Sequence, residues 1–160
     1  MTFLDTLMVA DAEYSVTRAV ADDVPQLVAL LRDDPLGAQR ETASAEQYLE
    51  AFHQVDADPQ QYLLVLRNAQ DDIVGTAQVT FIPYLVRGGT MRLHIEAVRL
   101  AARERGRGLG SAFFDWIHQF GRDRGARLAQ LTSDNDRADA LRFYENLGYT
   151  PSHVGYKRTL

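Results

Sequence analysis

Cysteine is absent from this chain of 160 residues. That removes disulfides, thiolate metal sites and any acyl-enzyme carried on a cysteine. Lysine is almost missing as well, with Lys157 standing alone, so a G-x-x-x-x-G-K-[ST] phosphate loop cannot exist. No apolar run approaches the length of a membrane span. The N-terminus also lacks the basic region of a signal peptide, so a cytoplasmic protein with no membrane partner is expected. The net charge of −5 denies the chain the broad positive surface that sequence-independent nucleic-acid binding requires, and no nucleic-acid partner is expected. Repeats, low-complexity tracts and linkers are not seen. What remains has an ordinary soluble composition, 46% hydrophobic and 24% charged, and is read as one domain over residues 14–160 behind an N-terminal extension, residues 1–13.

The positive charge that is present is concentrated. Residues 99–111 read R-L-A-A-R-E-R-G-R-G-L-G-S, four arginines against Glu104, with glycines at 106, 108 and 110. An amphipathic helix follows, its apolar face made by Leu109, Ala112, Phe113, Trp116, Ile117 and Phe120 at the i, i+3, i+4 spacing. Residues 93–100 before it are rich in apolar and β-branched side chains and predict a strand. Strand, glycine-rich turn and helix start form an anion site. Glycine lets a ligand approach the main chain, and the helix's first amides and dipole favour negative charge. No acid occupies the segment from Gly106 to Phe114, which suits a phosphate or diphosphate. The dinucleotide fingerprint G-x-G-x-x-G fails, because Ser111 stands three residues after Gly108.

Along the rest of the chain, Tyr14 to Val20 alternates as a first strand. A helix follows Asp22, with Pro25 near its first turn, and is expected to end in a loop at residues 33–37. Ser44 with Gln47 predicts a capping box for a second helix. Residues 61–67 and 73–83 predict strands that run, with residues 93–100, as an antiparallel meander. Gly125 closes the long helix, residues 127–132 make a strand, residues 137–147 a helix ended by Gly148, and residues 150–160 a last strand or hairpin. The order describes a mixed α/β sheet with helices on both faces.

Two motifs carry a resemblance. Arg105-x-x-Gly108-x-Gly110 resembles the acetyl-CoA loop of the GNAT superfamily of N-acetyltransferases. The run from Arg137 to Tyr149 resembles that family's N-x-x-A-x-x-F-Y-x-x-x-G-F, with Ala140, Phe143, Tyr144, Gly148 and Tyr149 matching in type and spacing. His94 to Val98 is similar to the central strand of glucosamine-phosphate acetyltransferases. The C-terminal half, with Ser152 and His153, is similar to aminoalkylphosphonate and other small-amine acetyltransferases.

The resemblance implies a GNAT-like, mostly antiparallel central sheet whose central strands splay to admit the pantetheine arm of acetyl-CoA. Val98, Arg99 and Leu100 would then pair with pantetheine through their main chains. The segment Arg105, Gly106, Arg107, Gly108, Leu109, Gly110 and Ser111 would hold the diphosphate, with Arg103 beside it. Arg137 replaces the family's asparagine, so its contact with coenzyme is an expectation from position, and Asn135 is the weaker substitute. For chemistry, Glu96 is the expected base for the amine, with His94 as the alternative. His94-x-Glu96 also fits the H-x-E of a zinc deaminase, but the cysteines of that site are missing, and no metal is expected. Tyr144 is the expected proton donor to the departing thiolate. An amide of the central strand, at Val98, is the expected support for the thioester oxygen.

For the acceptor, Asp33, Asp34, Tyr84, Arg87, His94 and His153 are the candidate contacts, and a primary amine of a small molecule is the expected class. Direct transfer in a ternary complex is favoured by the missing cysteine. The alternatives are a non-catalytic acyl-CoA sensor or interaction module, and a protein or peptide amine acetyltransferase. A homodimer is an expectation by analogy. His53 and His118 read as structural.

Overall fold

The computed structural model describes residues 2–33 and 35–160. The chain divides into two compact units, Met1–Gln130 and Leu131–Leu160. Asp34, one of the acceptor candidates, lies outside the described residues.

In the first unit the strands β1 (Thr2–Val9) and β2 (Ala12–Arg18) precede a 3-10 turn at Ala21–Asp23. The helices α1 (Val24–Arg32), α2 (Pro35–Arg40) and α3 (Ala45–Ala57) come next. Strands β3 (Gln61–Arg67) and β4 (Ile73–Ile82) then lead through the single turn α4 (Val86–Gly89) to β5 (Met91–Leu100). Helix α5 (Leu109–Asp123) returns the chain to β6 (Ala126–Leu131). One sheet holds all six strands in sequence order, and the four ladders from β1 to β5 are antiparallel. Short connections join β1 to β2, β3 to β4 and β4 to β5, as antiparallel neighbours allow, while α1 to α3 lie between β2 and β3 and α5 between β5 and β6.

Side-chain alternation puts helices on both faces. The odd positions Leu63 and Val65 of β3 pack with Val24, Leu27, Val28, Leu30 and Phe52 of α1 and α3. The even position Tyr62 and Phe81 of β4 instead meet Phe120 of α5, with ring centroids 5.1 and 6.0 Å apart. Phe113, Phe114 and Ile117 on the same helix are buried. The capping box at α3 forms as its spacing predicts: Gln47 N donates to Ser44 Oγ, and Ser44 N donates to Gln47 Oε1. No helix among the described residues is long and apolar enough to cross a membrane.

Three expectations change. Residues 1–13 show no period, yet Thr2–Val9 forms β1 and pairs with β2, with a register shift between Phe3 and Asp5. An edge strand with no fully buried residue needs no strict alternation, so its sequence carries no strand signal. Residues 33–37 do not remain a loop, because Pro35–Arg40 turns into α2 behind a proline suited to a first turn. Residues 150–160, expected as a strand or hairpin, carry no regular structure and are exposed throughout. Val154 and Tyr156 supply alternation there, but alternation alone makes no ladder.

The second unit holds α6 (Ala138–Asn146), ended by Gly148 at φ 88°. Asp139 and Arg142 pair along its exposed side.

Candidate active site

The glycine-rich segment links β5 to α5. Gly106 and Gly108 hold φ of 74° and 84°, conformations that side-chain-bearing residues rarely adopt. A Cβ at Gly106 would meet nothing within 4 Å, and one at Gly108 only Val9 Cγ1 at 3.9 Å. These glycines therefore serve the backbone path and leave an open surface above it. The i→i−4 bonds of α5 begin with Ala112 N to Gly108 O at 3.0 Å. The amides of Leu109, Gly110 and Ser111 precede that bond and have no intrahelical partner. No acid lies in the first turn. A diphosphate fits this donor set, three amides at the positive end of a helix of 15 residues.

The arginines of the loop are engaged with the protein. Arg105 Nε donates to Leu100 O at 3.1 Å. Arg103 Nη2 reaches Asp72 Oδ2 at 3.3 Å, and its Nε lies 3.7 Å from Glu104 Oε1. Arg107 Nη1 lies 3.8 Å from Glu104 Oε2. Glu104 itself is buried and accepts the Tyr14 hydroxyl at 2.8 Å. That bond is the main reason the Tyr14 phenol titrates above its usual range, with burial adding to it.

Strand β5 is not regular. Gln78 pairs with Glu96 and Thr76 with Arg99, so Ala97 and Val98 together face Ala77. This is a β-bulge, and Ala97 carries it at φ 51°. The extra residue resets the alternation. Arg99, and not Val98, follows His94 and Glu96 on the Gln78 face.

The bulge also divides the main-chain groups. Ala101 N bonds Val74 O at 2.9 Å, so by alternation Arg99 turns its main chain to β4 and Leu100 turns away. The carbonyls of Val98 and Leu100 accept from the side chains of Arg99 and Arg105, at 2.8 and 3.1 Å. Strand β6 meets β5 near its start, where Arg92 Nη1 bonds Gln130 Oε1 at 3.1 Å. There Leu93 shares a groove of about 430 Å³ with residues 125–129.

On the Gln78 face, polar side chains that the sequence reading passed over gather beside the candidate base. His94 Nε2 lies 3.4 Å from Glu96 Oε1. Gln78 stands opposite Glu96, and Thr80 stands between His94 and Gln61. Gln61 Oε1 accepts from Gln78 Nε2 at 2.6 Å and from Thr80 Oγ1 at 3.4 Å. Their signal was available as polar residues at alternate places in strands otherwise apolar. Glu96 is not buried: its side chain is 51% exposed, against 19% for His94. Tyr84 is half-buried under the Arg92 guanidinium, 4.2 Å from its ring centre. Arg87 lies exposed in α4 at φ 58°, beside Gly88 at 70°, and its carbonyl accepts Thr90 Oγ1. Asp33 is exposed at the end of α1.

In the second unit Arg137 sits at the start of α6, its amide bonded to Asp134 O at 3.1 Å, and Asn135 is exposed in the turn before it. Tyr144 is half-buried, 5.6 Å from Phe143 and 6.1 Å from Tyr149 between ring centres. Burial drives the Tyr149 phenol well above its usual range, and Tyr144 adds to the shift. His153 is exposed, with Nδ1 at 2.8 Å from Ser152 Oγ. His53 and His118 make edge contacts with Phe52 and Phe114. Burial lowers the His118 pKa, and Arg122 lowers it further. Among the described residues no group of three or more His, Asp or Glu could hold a metal ion.

Residues 24–149 match the model of the acetyltransferase (GNAT) family, and that span holds both the glycine loop and α6. The chain belongs to the GNAT family. It is 30% identical over 99 residues to aminoalkylphosphonate N-acetyltransferase of Salmonella typhimurium, covering 62% of each chain. To streptothricin acetyltransferase of Streptomyces lavendulae it is 29% identical over 125 residues, covering 78% of this chain and 58% of the relative. The chain thus spans about three fifths of the length of these curated relatives. Among solved structures, one titled a transcriptional regulator from Bacillus halodurans is 41% identical with a TM-score of 0.86, covering 92% of this chain and 99% of that one. The GNAT fold accounts for the mixed sheet, and its family motifs fall on the loop and α6 as expected.

Proposed function

We propose that this GNAT protein transfers the acetyl group of acetyl-CoA to a primary amine of a small molecule, directly and without an acyl-enzyme. The observation that carries the reading is the start of α5, where three amides without helical partners stand over an open glycine turn. Leu109, Gly110 and Ser111 hold the diphosphate there, and the main-chain groups of Val98 and Leu100 that turn from β4 receive the pantetheine arm. The coenzyme supplies the acyl group as a thioester, so one C–N bond forms as one C–S bond breaks. Glu96 accepts the proton that the amine loses, which its exposure and its His94 neighbour allow. Tyr144, by its place in the motif, gives a proton to the sulfur. His94, Gln78, Thr80 and Gln61 offer hydrogen bonds to a polar acceptor, while Tyr84, Arg87 and His153 remain further acceptor contacts to test. The two curated relatives act, by name, on an aminoalkylphosphonate and on streptothricin, which supports a small polar amine.

A second reading, an acyl-CoA sensor without turnover, is favoured by the 41%-identical structure titled a transcriptional regulator. Thiol release from acetyl-CoA over a panel of amines separates the two. The enzyme reading expects free thiol with at least one amine, and a Tyr144→Phe rate lower by about 10- to 100-fold. Heat of coenzyme binding with no thiol from any amine supports the sensor, and equal rates for wild type and Tyr144→Phe remove Tyr144 from the chemistry.

A further inference from the structure

Between Ala101 and Leu109 a single residue is buried, and it is an acid. Glu104 is 7% exposed, under a loop whose other side chains face solvent. Its partner comes from far away in sequence: Tyr14 on β2, itself 5% exposed, donates its hydroxyl to Oε2 at 2.8 Å. Above the carboxylate, Arg107 Nη1 lies 3.8 Å from Oε2 and Arg103 Nε 3.7 Å from Oε1.

If this position only had to anchor a turn, an apolar side chain would do so without the cost of desolvating a charge. What a carboxylate adds here is a grip on two guanidiniums that are otherwise 59% and 68% exposed. Long exposed side chains lose rotamer freedom when an anion orders them, and that loss weakens binding unless it has been met in advance.

Resting on the coenzyme reading above, we propose that Glu104 is a positioning residue for the phosphate end of the coenzyme. Tyr14 holds the carboxylate, and the carboxylate holds Arg103 and Arg107 beside the glycine turn before the anion arrives. The N-terminal hairpin thereby becomes part of the coenzyme site. Val9 lies beneath Gly108, and Asp5 accepts Trp116 Nε1 of α5 at 2.8 Å, which fixes the same hairpin against the helix. A negative charge near an anion also repels it, an effect of opposite sign. The site stays positive nonetheless, because Arg103, Arg105 and Arg107 outnumber Glu104 and the Asp72 carboxylate that reaches Arg103, so positioning outweighs repulsion.

Titration calorimetry with coenzyme A tests this in a double-mutant cycle. Glu104→Gln keeps the size and a partner for Tyr14 while removing the charge, and it is expected to raise Kd about tenfold. In an Arg103→Ala, Arg107→Ala background the same change is expected to alter Kd by less than about twofold, since the groups it positions are gone. Tyr14→Phe, which leaves the carboxylate in place, is expected to weaken binding in the same direction and serves if Glu104→Gln does not fold. An equal loss in both backgrounds would assign Glu104 a purely structural role, and tighter binding by Glu104→Gln would show that repulsion wins; either overturns the proposal. Wild type giving no heat with coenzyme A would instead overturn the coenzyme reading itself.

Discussion

Glu96 is the proposed base, and the proposal rests on its placement. Its side chain is half in solvent, His94 lies 3.4 Å away, and Gln78 faces it across the ladder. An exposed carboxylate carries away a proton without the desolvation that a buried one would suffer. Glu96→Gln is therefore expected to lower kcat/KM with the preferred amine by about 100-fold, measured by thiol release. His94→Asn, which removes only the neighbour, is expected to cost less. Retention of rate by Glu96→Gln to within about threefold would pass the proton to ordered water.

At the level of elements, the sheet is organised around two irregularities. One is the bulge at Ala97 and Val98, where an alanine at φ 51° accepts strain and shifts the register, so that Arg99 pairs with Thr76 as the β4 ladder resumes beyond it. The other is the anchor between the 3-10 turn and β3. Asp23 Oδ1 accepts Arg67 Nη2 at 2.5 Å, both side chains 7% exposed, and Asp23 Oδ2 accepts the amide of Val20 at 3.0 Å. This pair fixes the entry of α1, and hence the helical cover over one face of the sheet. Removing one partner leaves a buried charge unmatched, so Asp23→Ala is expected to destabilise by about 3 kcal/mol in urea unfolding. Replacing both residues by apolar ones, Asp23→Leu with Arg67→Met, is expected to recover most of that loss. A double variant as unstable as Asp23→Ala would show that the anchor, and not the isolated charge, supplies the stability.

For the whole molecule, the charge distribution matters more than its sum. An acidic chain of net charge −5 carries its densest positive stretch at residues 99–110, four arginines against one acid. A local positive site within an acidic surface draws in a small anion while giving long polyanions little to bind. Coenzyme A affinity is accordingly expected to fall several-fold between about 50 and 500 mM salt, as screening shortens the reach of those arginines. Titration at the two ionic strengths measures it. An affinity indifferent to salt would leave the helix amides as the sole grip on the phosphates.

Much of this was legible from the order of residues. The capping box at Ser44 and Gln47, the meander of β3, β4 and β5, and the glycines at 106 and 108 are local. Their signals are a hydrogen bond three residues long, an alternation, or a φ that only glycine takes readily. The GNAT family was legible for the same reason, because its motifs are two short runs. Tertiary structure alone decided the rest. Nothing near residue 104 announces that its carboxylate is buried, since Tyr14 reaches it from 90 residues away. The bulge that sets Arg99 in place of Val98 beside Glu96 appears only when β5 is laid against β4. A strand signal failed at both ends of the chain, absent where β1 forms and present where residues 150–160 form none, because a strand exists through its neighbour and not through its own sequence.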